Sequence, residues 1–487
     1  LRISDIAASP RRALARAHAY LVGIATPTVR LGVTGLARSG KTVFITALVR
    51  NLTTGGRLPF LSAYAEGRLR EAYLEPQPDD AVPRFDYEAN VAALTRSEPE
   101  WPSSTRHISQ LRLTIVYQPS SPMARVLGPR QLHLDIVDYP GEWLLDLAML
   151  KQSYPDWSSE AIALARHPAR SSAAGAWLGF LGTLDPASAQ DEHTALAGAR
   201  LYTDYLRRAR SAEPALSTVG PGRFLMPGDL EGSPLLTFFP LRIASAPKPG
   251  SLAAMMERRF ESYRSHVVTP FFRDHFSRLD RQIVLIDALA ALNLGADALD
   301  DLMRGLDRSL MAFRPGARRW LTGLIWPRID RLLFAATKAD HLPRSSHDRL
   351  EAILRLLIDK AAARAVAAGA DIKVMALAAL RATRETEAQQ GAERLACIRG
   401  VPERGERLGD TVFDGRREVA IFPGDLPEDP QRALSRASGP QAGGEDVRFV
   451  RFRPPRLPPP ASTIEPAPWP HVRLDRALEF LIGDLLQ

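Results

Sequence analysis

A chain of 487 residues with a single cysteine, Cys397, can form no intrachain disulfide. That excludes the disulfide-stapled class of secreted domains and fits a reducing compartment. Long apolar runs are also missing. The nearest, Ala173–Leu184, falls short of the roughly 18 residues a membrane-crossing helix needs, and it is interrupted by glycines. The opening stretch, LRISDIAASPRRALARAHAYLVGIATP, lacks the charged, apolar and small-residue order of a secretion signal. The expectation is therefore a soluble, cytoplasmic protein. A basic amphipathic helix over 4–24 leaves room for peripheral contact with the inner membrane. Aromatic residues are sparse at 7%, and the basic clusters (RRAR, RARSAE, MRGLDR) are not interleaved with them. A net charge of +8 spread in this way does not describe a nucleic-acid module, and no nucleic-acid partner is expected. Internal repeats are absent.

What is present is ordinary globular composition, 45% hydrophobic and 24% charged, over a length that suggests two or three domains. Strand-like runs occur at Val29–Thr34, Gln110–Tyr117, Arg130–Val137, Ile283–Asp287, Arg331–Ala336 and Ile372–Leu377. Helical spacing of apolar residues over 43–51 and 348–368 alternates with these runs, which predicts a mainly parallel sheet covered by helices on both faces. Residues 143–280 carry helical periodicity and little strand signal. A loop-rich stretch with TTGGRLPF follows the helix over 43–51, and segment 75–106 is polar and proline-bearing. Segment 387–460 turns rich in Gly, Pro and charge, with short β-like pieces at VAIFPG and VRFVRFRPP, and a proline-rich linker leads to a last helix. The expected organisation is an N-terminal helix (1–30), a nucleotide-binding core in two parts (31–150 and 281–386), a helical insertion (151–280), a β- and loop-rich insertion (387–470) and a C-terminal helix (471–487).

The stretch Gly35–Thr42, GLARSGKT, fits G-x-x-x-x-G-K-[ST] at every fixed position, with the apolar strand VRLGVT before it and the helix VFITAL after it. Glycines let the backbone curl so that successive N–H groups point at phosphates, and the following helix adds its positive end. On this reading Gly35, Leu36, Ala37, Arg38, Ser39, Gly40, Lys41, Thr42 and Val43 form the phosphate loop. Lys41 reaches the β- and γ-phosphates, and the Thr42 hydroxyl ligates Mg²⁺.

Two later motifs narrow the nucleotide. Asp138-Tyr139-Pro140-Gly141 is a D-x-x-G at the end of a strand. Its aspartate can hold Mg²⁺ through water, and its glycine N–H can sense the γ-phosphate. Asp135 is the competing carboxylate but lies inside the strand. Thr337-Lys338-Ala339-Asp340 follows another strand and matches the [NT]-K-x-D pattern of guanine recognition. Asp340 can accept hydrogen bonds from N1–H and the N2 amino group of guanine, which adenine cannot offer, while the stem of Lys338 lies over the ring. After the next strand, Ala379 sits where a backbone N–H would meet guanine O6. The cofactors implied are GTP or GDP with Mg²⁺.

Several roles stay open at the level of sequence. A second hydroxyl ligand for the metal should fall in WPSSTRHIS, where Thr105 is the first choice and Ser104 and Ser103 follow. Glu142 occupies the position after D-x-x-G where related switches place a water-orienting glutamine. A carboxylate there is repelled by the γ-phosphate, which argues for slow hydrolysis. Arg38 either touches phosphate as a built-in arginine finger or points outward. Asp287 and Asn293, at the end of a strand, serve the nucleotide's surroundings or cap a helix. Trp143 and Trp101 flank the two proposed switches as sensors or as core anchors.

The three motifs in this order resemble Ras-like GTP-binding proteins. More specifically, GVTGLARSGKTVFITALVRNL, the stretch from WPSSTRHISQLRL through LDIVDYPGEWLLDL, VLIDALAALNLG, FAATKADHLP, ALAALRATRE and DRALEFLIGDLL resemble the YcjX family of bacterial stress-associated P-loop proteins. The resemblance runs from residue 32 to 485. It implies a Ras-like GTP-binding core with large insertions, a cytoplasmic location, a part in a stress response and a protein effector that is a neighbouring membrane protein. The readings to be separated are a slow GTPase switch, an ATP-dependent enzyme or kinase on the same phosphate loop, and a nucleotide-stabilised scaffold with little turnover.

Overall fold

The computed structural model describes residues 26–36, 38–103, 105, 107–211, 219–243, 246–309, 329–390, 393–435, 448–457 and 468–487. The helix expected over 4–24, Ala37, Ser104 and most of the proline-rich linker lie outside the described residues. Seven strands form one sheet: β1 (Thr28–Gly35), β2 (Leu69–Glu75), β3 (Ser109–Tyr117), β4 (Arg130–Asp138), β5 (Arg281–Ile286), β6 (Arg331–Ala336) and β7 (Asp371–Ala376). Their spatial order is β2-β3-β4-β1-β5-β6-β7. β1 pairs in parallel with β4 and β5, and the parallel run continues through β6 to β7. β3 alone runs the other way, antiparallel to both neighbours.

The central strands are near-continuous apolar runs because both faces are covered. In β5, Ile283 and Leu285 face the side covered by α1 (Lys41–Thr53) and the C-terminal helix, while Val284 and Ile286 face the other. Period-two alternation thus supplies two cores, one on each side of the sheet. The parallel strands all end at the same edge, so the loops after β1, β4, β5, β6 and β7 gather there. Open α/β sheets place their ligands at that edge. This is the Ras-like P-loop α/β fold.

Between β4 and β5 the chain builds a helical block. It contains α3 (Trp143–Asp146), α4 (Tyr154–Ala165), α5 (Pro168–Gly182), α6 (Glu192–Ser211) and α7 (Leu252–Tyr263), which follow the short helix α2 (Tyr87–Thr95) in the chain. Aromatic residues fill its interior. Trp177 stacks on Tyr205, and Trp157 packs between Phe238 and Phe260. Beyond β5 come α8 (Ala288–Leu294), α9 (Ala296–Ser309), α10 (His347–Ala367) and, at the C-terminus, α11 (Leu474–Ile482). On α11, Leu474, Ala477, Leu478 and Leu481 are fully buried at helical spacing, and they dock it on the α1 side of the sheet.

Three sequence expectations need correction. The polar segment 75–106 contains helix α2, and edge strand β2 precedes it where no strand was expected. The boundary expected between 386 and 387 falls inside a strand. There β8 (Arg384–Gln390) pairs antiparallel with β9 (Glu393–Gly400), which also pairs with Val419–Ile421. Among the described residues of the second β-like piece, VRFVRFRPP, no strand forms, and Phe452 makes a β-bridge with Pro402. Its residues Phe449–Arg453 lie instead as a strap across the mouth of the site.

Candidate functional site

The phosphate loop is held by its own backbone. Gly40 sits at φ 87°, a left-handed conformation that glycine adopts without strain, and its carbonyl accepts from the N–H of Phe44 at 2.9 Å to start α1. Arg38 is also left-handed, at φ 62°, and exposed. The Lys41 ammonium is buried and donates to the carbonyl of Gly35 at 2.9 Å. A lysine amine held inside a curl of backbone N–H groups makes a strongly anion-seeking pocket.

The D-x-x-G segment lies directly against this loop. A Cβ on Gly141 would overlap the Gly35 carbonyl, so no other residue fits with the two segments in contact. Asp138, at the end of β4, is completely buried. Its Oδ2 accepts from the Thr105 hydroxyl at 2.7 Å, while Oδ1 has no partner among the described residues. Burial pushes the Asp138 carboxyl up to about 6, although Lys41 and the Thr105 hydroxyl pull the other way. Thr105 Oγ1 lies 3.5 Å from Thr42 Oγ1, and Thr42 Oγ1 lies 3.5 Å from the carbonyl of Ser103. Thr42, Thr105 and Asp138 therefore converge.

Two hydroxyls and one carboxylate, whose Oδ1 is buried and without a partner among the described residues, are hard-oxygen donors, and this set fits Mg²⁺ completed by phosphate and water. The sequence left Asp135 as a competitor. Its carboxylate is taken by Arg112, with bonds of 2.6 and 2.7 Å.

At the other end, Lys338 is left-handed at φ 58° and its ammonium pairs with Asp287. Asp287 also caps α8 through the N–H of Ala290 at 3.1 Å, the capping role considered for it. Asp340 is buried. Its Oδ2 accepts from the N–H groups of Ala382 and Thr383 at 2.7 and 3.2 Å, which fixes the loop after β7 against it. Asn293 neither caps a helix nor reaches the site. Its amide donates to the Phe449 carbonyl and accepts from the Phe449 N–H, both at 3.2 Å.

One cavity of about 390 Å³ joins these ends. It is lined by Arg38 through Val43, Ser103, Thr105, Glu142, Lys338, Asp340 and Ala379. Gly35, Leu36, Asp138 and Gly141 shape the floor without lining it.

The lining also includes residues that sequence reasoning did not find. His341, Glu403, Arg451 and Phe452 close the base end, and Arg210 from α6 stands beside Glu142. The His341 ring meets Phe452 edge-on at 5.0 Å, and burial lowers the pKa of His341. Trp101 donates from Nε1 to the Phe452 carbonyl at 2.8 Å, tying the segment that carries Thr105 to the strap. Trp143 is a core anchor, 4% exposed, with the Arg223 guanidinium 3.4 Å over its ring. None of these residues belongs to a local motif.

Comparison with known proteins agrees with this architecture. Residues 29–486 match the YcjX-like family, DUF463. A protein named Ras-like GTPase YcjX from Escherichia coli K12 is 38% identical over 472 residues, covering 94% of this chain and 96% of that one. A protein of the same name from Shewanella oneidensis MR-1 is 34% identical over 488 residues, covering 94% and 95%. With a Ras-like sheet, a phosphate loop closed by D-x-x-G, and these relatives matched along almost their whole length, the chain belongs to the YcjX-like family.

Proposed function

We propose that this chain binds GTP and GDP with Mg²⁺, hydrolyses GTP slowly, and acts as a stress-associated molecular switch whose insertions present the nucleotide state to a protein effector, a membrane protein. The observation that carries the reading is that the first and third motifs, about three hundred residues apart, line one cavity, while the D-x-x-G segment packs on the phosphate loop through Gly141 and Gly35. The names of the two relatives point the same way.

On this reading the loop N–H groups and Lys41 bind the β- and γ-phosphates. Lys41 exchanges its Gly35 carbonyl for phosphate oxygen at little cost in hydrogen bonds. Mg²⁺, held by Thr42, Thr105 and Asp138, would neutralise phosphate charge when bound. Asp340 accepts from the guanine edge, and the N–H of Ala379 faces O6. Gly141, packed on Gly35, reports the γ-phosphate to the helical block, because residues that follow it (Trp143, Leu144 and Leu147) are buried in that block's core. No described helix is long and apolar enough to cross a membrane.

The test is displacement of fluorescent GDP, with Mg²⁺ present, by unlabelled GDP, GTP, ADP and ATP, in the wild type and in Asp340→Ala. Guanine nucleotides alone should compete. The variant should lose the preference, about 1–3 kcal/mol for a buried hydrogen-bonding group, or roughly tenfold or more in affinity. Equal competition by adenine nucleotides would sink the guanine reading and favour the ATP-dependent enzyme.

A further inference from the structure

The reaction end of the cavity contains a carboxylate where a neutral side chain would be expected, and it also contains that carboxylate's counter-ion. Glu142 is 6% exposed and lines the same cavity as the phosphate loop. A buried anion next to phosphate is unfavourable unless it is paired. Its partner comes from outside the nucleotide-binding core. Arg210, on the last turn of α6 in the helical block, donates from Nη2 to Glu142 Oε1 at 2.7 Å. Arg210 also lines the cavity with Lys41 and Thr42.

The delivery of Arg210 is rigid. α6 buries Ala195, Ala199, Tyr202, Leu206 and Ala209 along one face, and Tyr205 stacks on Trp177 with an interplanar angle of 8°. The Tyr202 hydroxyl donates to the Gly220 carbonyl at 3.1 Å, and a Cβ on Gly222 would overlap the Glu142 backbone carbonyl. The helical block thus grips Glu142 by its backbone as well as its side chain.

The geometry points to Arg210 as a catalytic residue supplied by the helical block in the same chain. Its guanidinium stays on Glu142 and offers its remaining N–H donors to the transferring phosphoryl group. The inference rests on the nucleotide-hydrolysis reading above. In the reaction the water oxygen forms a bond to the γ-phosphorus. The bond from that phosphorus to the bridging oxygen breaks with its electron pair going to GDP, and the displaced water proton leaves with the phosphate product. Arg210 gains or loses nothing in this step. It meets the charge that develops on the phosphoryl oxygens, and it cancels the Glu142 charge that would otherwise oppose phosphate there. With Glu142 neutralised, the carboxylate can orient the water that a glutamine would orient elsewhere.

The test uses the full-length protein and two probes: GDP alone, and GDP with aluminium fluoride, which mimics the transferring phosphoryl. Wild type should bind the fluoride complex more tightly than GDP. Arg210→Ala should keep GDP affinity within about threefold, lose at least tenfold of the fluoride increment, and hydrolyse GTP at least tenfold more slowly. Free guanidinium ion should restore part of that loss, and Arg210→Lys should not. Because Arg210→Ala leaves Glu142 unpaired, Glu142→Gln with Arg210→Ala serves as a fold control. It should bind GDP normally and still fail with aluminium fluoride. Equal loss of GDP and fluoride complexes in Arg210→Ala would overturn the assignment in favour of a structural ion pair. Recovery of fluoride binding in the double variant would overturn it in favour of simple charge neutralisation. Failure of the guanine reading would appear separately, in the wild-type competition among nucleotides, whichever nucleoside diphosphate is then used for the Arg210 comparison.

Discussion

Gly141 shows how one residue can couple two loops. Its Cα approaches the Gly35 carbonyl so closely that a methyl group would overlap it, so contact between the D-x-x-G segment and the phosphate loop depends on the absence of a side chain. Overpacking of this kind costs about 1–3 kcal/mol when the surroundings cannot yield. In Gly141→Ala the two segments must separate, and the N–H proposed to sense the γ-phosphate moves with them. Affinity for a non-hydrolysable GTP analogue should fall about tenfold, which corresponds to ~1.4 kcal/mol, while GDP affinity changes by less than about threefold. Titration of both nucleotides against wild type and variant decides it. An equal effect on both would show that the contact serves the loop in general rather than the γ-phosphate.

Elements show which parts of this protein can be read from its sequence. β1 and β3 through β6 were legible because central strands are apolar, β7 at the other edge because Ile372, Val374 and Ala376 still alternate, and α1 and α10 because their apolar spacing repeats over several turns. β2, LREAYLE, was not: as an edge strand it keeps its charged side chains partly in water, so its alternation is weak. β8 and β9 were missed for a related reason. They form a hairpin outside the main core and carry Arg, Glu and Gln on their open face. The site divides in the same way. Gly35–Thr42, Asp138–Gly141 and Thr337–Asp340 were legible because each needs adjacent residues in fixed order. Arg210, Arg451 and Phe452 were not, because they arrive through tertiary structure with no local pattern.

The strap Phe449–Arg453 belongs to this second group and has its own consequence. Trp101 holds one end and Asn293 the other. Trp101→Phe removes a bond of about 0.5–1.5 kcal/mol, and stopped-flow release of fluorescent GDP should accelerate roughly two- to tenfold. Asn293→Ala, which touches no proposed nucleotide contact, should do the same. A change confined to Trp101→Phe would mean that the strap does not act as one unit.

At the scale of the whole molecule, the segment that follows D-x-x-G is tied to the rest of the helical block through a buried carboxyl. Asp146, at the end of α3, accepts from the N–H of Gly222 at 2.6 Å and from the Tyr263 hydroxyl at 2.6 Å, so it ties the segment after D-x-x-G to two separate parts of the block. Burial nevertheless outweighs these bonds and pushes the Asp146 carboxyl up to about 6 from its ordinary 3.8. The sign of the linkage follows from that rise. Between about pH 4 and pH 6 the folded protein holds a proton at Asp146 that the unfolded chain has released, so this group's contribution to stability falls as pH rises through that window. A shift of about two units corresponds to roughly 3 kcal/mol. Asp146→Asn has no such titration, although it places an amide against N–H donors and should be destabilised at every pH. The stability advantage of wild type over Asp146→Asn, measured by denaturant unfolding, should therefore be largest near pH 4 and shrink by up to about 3 kcal/mol by pH 7. A difference that stayed constant or grew with pH would mean that the carboxyl is ionised throughout. In that case its hydrogen bonds, rather than its burial, would set the coupling between this segment and the rest of the block.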